Sequence, residues 1–275
     1  MTDGIRTVAR LIVECLEHEG VEFVFGLPGE ENLHMVDALV DSPIRFVTTR
    51  DERGAAFMAD TYGALTGRPG VCLATLGPGA INLMLGIANA QLDSHPLVAI
   101  TAQAGLGRIY KESHQFVDIV SLYRPITKWG DMVTLPVAAP EMIRKAFKLA
   151  TTERPGATFI VLPEDVAELP AEGAPLPVNV PRDPAPSEDQ VHRAAHVLES
   201  ARHPVVLAGP GIPRRRGRRA DPVLRAPAGP RRDHVPGQGG VPRRSSERPR
   251  DDRVHGPRLR ELRVRPGRRR GGRWV

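Results

Sequence analysis

Apolar residues Ile5, Val8, Ile12, Cys15 and Leu16 recur at helical spacing. They predict an amphipathic helix from a cap at Thr2 or Asp3 to Glu19, ended by Gly20. Glu22-Phe23-Val24-Phe25 reads as a strand that closes on a sharp turn, Gly26-Leu27-Pro28-Gly29. Helix 31–40 and strand 45–49 follow, then a helix over 56–65 stopped by Gly67. Strand 71–76 ends in the turn Gly77-Pro78-Gly79, and helix 80–91 leads to strand 97–101. A short helix at 117–123, an edge strand at 127–133, helix 141–151 and strand 158–162 complete the series. Strands alternating with helices predict an α/β fold: a parallel sheet with helices on both faces.

Beyond residue 166 the pattern changes. Six prolines among Ala and acidic residues over 167–186 read as an extended linker. Ser187 caps a helix to about Ala201, and Val205-Val206-Leu207-Ala208 is a strand closing on Gly209-Pro210-Gly211. The expected organisation is a first domain over 1–166, the linker, the truncated start of a second α/β domain over 187–213, and a tail over 214–275.

Charge sharpens the last boundary. The tail holds 21 Arg, no Lys and 6 acids, a net of +15, whereas residues 1–213 carry a net of −9. Such a tail attracts phosphate non-specifically. Its lack of Lys and its single aromatic residue, Trp274, argue against a nucleic-acid partner. With few large apolar groups it cannot offset chain entropy, so it is expected to be disordered. Codons can be chosen for the tail that, read one base later, allow a globular-looking sequence, which makes a frameshift its expected origin. Cys15 and Cys72 stand in apolar company with no metal-ligand spacing, and read as core residues. Acids interrupt the apolar N-terminus, and no apolar run has spanning length. The expectation is a cytoplasmic protein without a membrane partner.

Glu52 stands where strand 45–49 hands over to a helix, the place where open α/β sheets put their chemistry. An acid there also complements the helix dipole without any further role. The three glycine turns match neither a Walker loop nor GxGxxG, so nucleotide fingerprints fail.

Taken together, Phe25-Gly26-Leu27-Pro28-Gly29-Glu30, the stretch 49–62, and Thr75-Leu76-Gly77-Pro78-Gly79-Ala80-Ile81-Asn82 resemble the pyrimidine-binding domain of thiamine-diphosphate enzymes, acetolactate synthase above all. Ala90-Gln91-Leu92-Asp93, Ser113-His114-Gln115-Phe116-Val117-Asp118, Arg124-Pro125-Ile126-Thr127-Lys128 and Leu162-Pro163-Glu164-Asp165 extend the resemblance collinearly over about 4–212. It implies thiamine diphosphate with Mg2+ as cofactor, with pyruvate or another 2-keto acid decarboxylated and joined to a second keto acid. It also implies a homodimer or homotetramer. Glu52 takes the place of the carboxyl that hydrogen-bonds the pyrimidine ring and shifts its tautomer. Pro28 and Gly29 let backbone approach the cofactor, and Thr75, Gly77, Pro78 and Asn82 wall the pocket. By the same resemblance Gln115 is expected to point at the substrate. No metal ligand is expected in this chain, because the family holds diphosphate and magnesium in a later domain. The Ser113-His114-Gln115 form resembles catabolic, flavin-independent synthases, so FAD is admitted but not supported.

Two departures stand out. Asp51 and Arg53 flank Glu52 where the family commonly has His and Gln or Ala, and residues 104–111 lack the usual basic loop pattern. Benzoylformate decarboxylase and glyoxylate carboligase are the alternatives within the family. An inactive fragment, able only to dimerise or to lend Glu52 to an intact partner, is the alternative outside enzymology.

Overall fold

The computed structural model describes residues 6–179, 185–202, 205–207 and 261–262. The chain divides into two units, Met1–Asp183 and Pro184–Val275. In the first, a six-stranded sheet runs in the order β2-β1-β3-β4-β6-β5, with every neighbouring pair parallel. Its strands are β1 (Phe23–Gly26), β2 (Arg45–Thr48), β3 (Gly70–Ala74), β4 (Leu97–Gln103), β5 (Trp129–Met132) and β6 (Ala157–Pro163).

Side chains alternate across this sheet into two cores. Val71, Leu73, Val98, Ile100, Ile160 and Leu162 face α1 (Val8–His18), α2 (Leu33–Val40), α6 (Ala139–Thr151) and α7 (Glu164–Glu168). Cys72, Ala74, Leu97, Ala99, Phe159 and Val161 face α3 (Glu52–Thr66), α4 (Gly77–Asp93) and α5 (Ile119–Tyr123). The predicted α/β class, with helices on both faces, is therefore the observed one. β3, β4 and β6 are buried throughout, as parallel strands covered on both faces must be. Both cysteines are free and buried, and burial pushes each thiol up to about 12. Among the described residues no helix is long and apolar enough to cross a membrane.

Several boundaries differ from expectation, α3 starting at Glu52 rather than 56 and α7 running into the expected linker among them, and three more have identifiable reasons. The first helix starts at Val8, because extended Thr7 caps it through Arg10 N–H. Residues 6 and 7 cannot join that helix. Thr7 bridges Pro170, and Arg6 O accepts from Ala171 N–H at 2.9 Å. The same contacts bind residues 169–171 of the expected linker to this unit, where Ala171 is buried. The third difference is at Gly77-Pro78-Gly79, which forms the first turn of α4 rather than preceding it. Pro78 suits that turn, whose N–H groups have no helical partners.

In the second unit, Ser187 and Gln190 close a capping box on α8 (Glu188–Ser200), the helix the sequence predicts there. β7 (Val206–Leu207) pairs antiparallel with β8 (Glu261–Leu262), a two-residue ladder that reaches into the segment expected to lack structure. The Gly209–Gly211 turn and the remainder of the tail lie outside the described residues.

Candidate active site

Strand order reverses at β1. The chain leaves β1 for β2 on one side and returns as β3 on the other. Such a switch point opens a cleft at the carboxyl ends of the strands. The connections after β1, β2 and β3 all reach it.

After β1, buried Asn32 fixes the turn. Its Oδ1 accepts from Gly29 N–H at 2.9 Å and its Nδ2 donates to Leu27 O at 3.0 Å. Gly29 can then lie against Thr75, where a Cβ at position 29 would stand only 2.2 Å from Thr75 Cγ2. Pro28 is exposed on the same turn.

After β2, Thr49 turns the chain into α3. Its N–H donates to Gly26 O at 2.8 Å and its Oγ1 donates to Asp51 O at 3.0 Å. Asp51 caps α3 by accepting from Arg53 N–H at 2.8 Å, which makes Glu52 the first residue of the helix.

After β3, α4 brings Asn82 across. Its Nδ2 donates to Glu52 Oε2 at 2.9 Å. The other carboxylate oxygen lies over Gly79. A Cβ at position 79 would come within 3.3 Å of Glu52 Oε1 and 2.6 Å of Thr75 Oγ1. Gly29, Thr75, Gly79, Asn82 and Glu52 thus converge on one shelf, where Thr75 takes the space that side chains at 29 and 79 would need, with a carboxylate oxygen at its edge.

Gln115 reaches the same corner through its backbone. Gly77 has φ +46°, and a Cβ there would lie 2.2 Å from Gln115 O. Gln115 itself holds φ 56°, rare for a residue with a side chain, and its side chain is exposed. Pro78 is exposed beside it. The loop carrying Gln115 is tied at both ends. Gln103 Nε2 donates to Val117 O at 2.9 Å, and Asp165 Oδ2 accepts from Leu106 N–H at 2.8 Å.

Residues 6–122, which contain every one of these side chains except Asp165, match the thiamine pyrophosphate enzyme N-terminal TPP-binding domain. That stretch of the chain belongs to this family. The relatives agree. The chain is 40% identical over 211 residues to a probable acetolactate synthase large subunit of Methanocaldococcus jannaschii, covering 74% of this chain and 36% of that one. It is 39% identical over 202 residues to a catabolic acetolactate synthase of Raoultella terrigena, covering 73% and 36%. With an acetolactate synthase large subunit of Corynebacterium glutamicum it shares 42% over 212 residues, covering 75% and 34%. The chain spans about a third of the length of the curated relatives it matches.

Within this TPP-binding domain the two unusual charges beside Glu52 close on each other. Arg53 Nε and one guanidinium NH2 reach the two Asp51 oxygens at 2.8 and 2.7 Å. That clip, with the Arg53 backbone N–H, holds the Asp51 carboxyl down at about 2, below its ordinary 3.8. A depressed carboxylate contributes its interaction above the ordinary value and loses it as pH falls through the depressed one. Carbon NMR is therefore expected to show Asp51 titrating near 2, and Arg53→Ala to move that midpoint upward.

Of the residues named from the sequence, Glu52 meets Asn82, Gly29 meets Thr75 and Gly77 meets Gln115, while Pro28 and Pro78 are exposed on the adjoining turns. Sequence reasoning did not single out Asn32, Thr49 or Gln103. These act by hydrogen-bonding backbone, and residue type alone does not announce such a partner. Gly79 was visible only as part of a turn.

Proposed function

We propose that this chain carries the pyrimidine half of the cofactor site of an acetolactate synthase-type enzyme, which decarboxylates pyruvate and joins the two-carbon remainder to a second 2-keto acid. The observation that carries this reading is the Glu52 carboxylate, with Oε2 held by Asn82 and Oε1 left over the Gly79 shelf. Glu52 shares a proton at Oε1 with a ring nitrogen seated on that shelf. Gly29, Thr75, Gly77 and Asn82 wall the ring, and Pro28 and Pro78 border it. Bound there, thiamine diphosphate supplies the electron sink that decarboxylation requires. Gln115 orients the keto acid.

In this reading diphosphate and Mg2+ are gripped by a domain in the remaining length of the relatives. The 275-residue chain therefore does not turn over alone, although it can lend Glu52 to a partner. Phe57, Met58, Ile81 and Leu85 are exposed apolar residues on α3 and α4, the helices that carry Glu52 and Asn82. An apolar face of this kind supports assembly with a second subunit.

The purified chain, given thiamine diphosphate, Mg2+ and pyruvate, is expected to form no acetolactate. A graft of residues 1–179 onto the remaining length of the Corynebacterium glutamicum relative is expected to form it. Preference of the graft for benzoylformate or glyoxylate assigns the alternative substrates. A folded graft silent on all three keto acids overturns the reading.

A further inference from the structure

Glu52 and Asn82 form one of several contacts that α3 makes with α4 or the residues just beyond it, and those within the two helices follow a rule. Glu52 pairs with Asn82 thirty residues on, and Asp60 pairs with Asn89 twenty-nine residues on. Between these rungs Gly86 sits on Ala56 so closely that a Cβ at 86 would stand 2.5 Å from Ala56 Cβ. Beyond them Gly63 rests on Pro96, where a Cβ would come 2.3 Å from the Pro96 carbonyl oxygen. Positions 52, 56, 60 and 63 form one helical stripe, and the α4 partners of the first three, 82, 86 and 89, advance in step. The two helices therefore run side by side in the same direction at a constant register.

The two kinds of contact do different work. Packing of glycine against alanine brings the helices close, but apolar contact is non-directional and resists sliding weakly. A hydrogen bond is directional, and it is lost when donor and acceptor part by more than a few tenths of an ångström beyond 3.2 Å. One residue of slip along a helix is about 1.5 Å, enough to separate Asn82 Nδ2 from Glu52 Oε2. The polar rungs must hold the register.

Asp60 is built for that task. It is 5% exposed, and both carboxylate oxygens are engaged. Oδ2 accepts from Asn89 Nδ2 at 2.7 Å, and Oδ1 meets His95 Nδ1 at 2.6 Å. His95 is itself fixed just past the end of α4, its N–H donating to Ala90 O at 2.8 Å. A buried carboxylate that gives up either partner is costly, so this rung tolerates little movement.

We infer that Asp60, through Asn89 and His95, is a positioning residue for Glu52. It sets the register at which Asn82 takes Oε2 and leaves Oε1 over the Gly79 shelf. The inference rests on the reading of Glu52 as the group that acts on the cofactor, yet its test does not require turnover. In the 275-residue chain, nitrogen–proton NMR resolves the side-chain amide of Asn82, assigned by its disappearance in Asn82→Asp. Saturation transfer then reads the exchange of its protons with water. Asp60→Ala and Asn89→Ala are each expected to speed that exchange about fivefold and to move the amide signals. The swap Asp60→Asn with Asn89→Asp re-forms the rung with donor and acceptor exchanged, and is expected to restore exchange to within about twofold. An Asn82 amide unmoved in a folded Asp60→Ala chain overturns the inference. Should that variant fail to fold, an Asn82 amide unmoved in Asn89→Ala, where His95 still holds the carboxylate, overturns it equally. Glu52→Gln keeps an oxygen for Asn82, so failure of the catalytic reading leaves this measurement standing.

Discussion

Glutamine in place of Glu52, in the graft carrying residues 1–179, is expected to lower acetolactate formation by about 10²–10⁴-fold, the usual contribution of a positioned proton-transfer group. The substitution is close to isosteric. Its amide oxygen still accepts from Asn82 Nδ2, which now donates to Glu52 Oε2 at 2.9 Å. The cap on α3 comes from Asp51 and is untouched. Folding stability should therefore change little, and the loss should fall on turnover. What disappears is an oxygen over the Gly79 shelf able to exchange a proton. Single-turnover and steady-state assays on pyruvate check the result. Acetolactate output within threefold of the parent graft, about 0.65 kcal/mol in barrier, would remove Glu52 from the mechanism.

Alanine at Gly77 is expected to damage both stability and substrate use. Gly77 holds φ +46°, and a Cβ there would meet Gln115 O at 2.2 Å and Gln115 Cβ at 3.0 Å. A left-handed residue with a side chain costs about 1–2 kcal/mol, and a backbone overlap adds about 1–3 kcal/mol. Gln115 cannot yield easily, since its loop is anchored by Gln103 and Asp165 and it already holds φ 56°. The midpoint of thermal unfolding should fall on the order of 10 °C. Should the loop move instead, Gln115 leaves the corner of the site, and a displacement near 1 Å is worth about 100-fold in kcat/KM. Calorimetry and assays of the graft separate these effects. An unchanged melting point together with unchanged kcat/KM would show that Gly77 and Gln115 do not depend on each other.

Both predictions concern residues visible in the sequence, and the way they were visible differs. The helix stop at Gly67 and the cap at Ser187 were legible because each is set by its own few residues. The parallel sheet was legible from alternating strands and helices. The start of α1 was not, because extended Arg6 and Thr7 are held by Pro170 and Ala171, far along the chain. Glu52 looked like an ordinary first-turn acid until the motifs around it were read together. Asp51 and Arg53 stood out only as departures from the family pattern, and the fold shows them clipped to each other.

The sequence by itself determined the order of the six strands and of α1 to α6, the covering of the sheet by helices on both faces, and the place of Glu52 where β2 hands over to a helix. Period, capping and turn chemistry are local, and they act over a few residues whatever the rest of the chain does. Only the tertiary structure decided which oxygen of Glu52 is held and which is left open. It also decided that Asp60 shares a rung with Asn89 and His95, and that Gln115 abuts Gly77. Those pairings join residues 29 to 38 positions apart, and the Glu52 and Asp60 rungs depend on how closely two helices approach. Glycine and alanine at the contact permit that approach, but only packing against the whole sheet sets the distance.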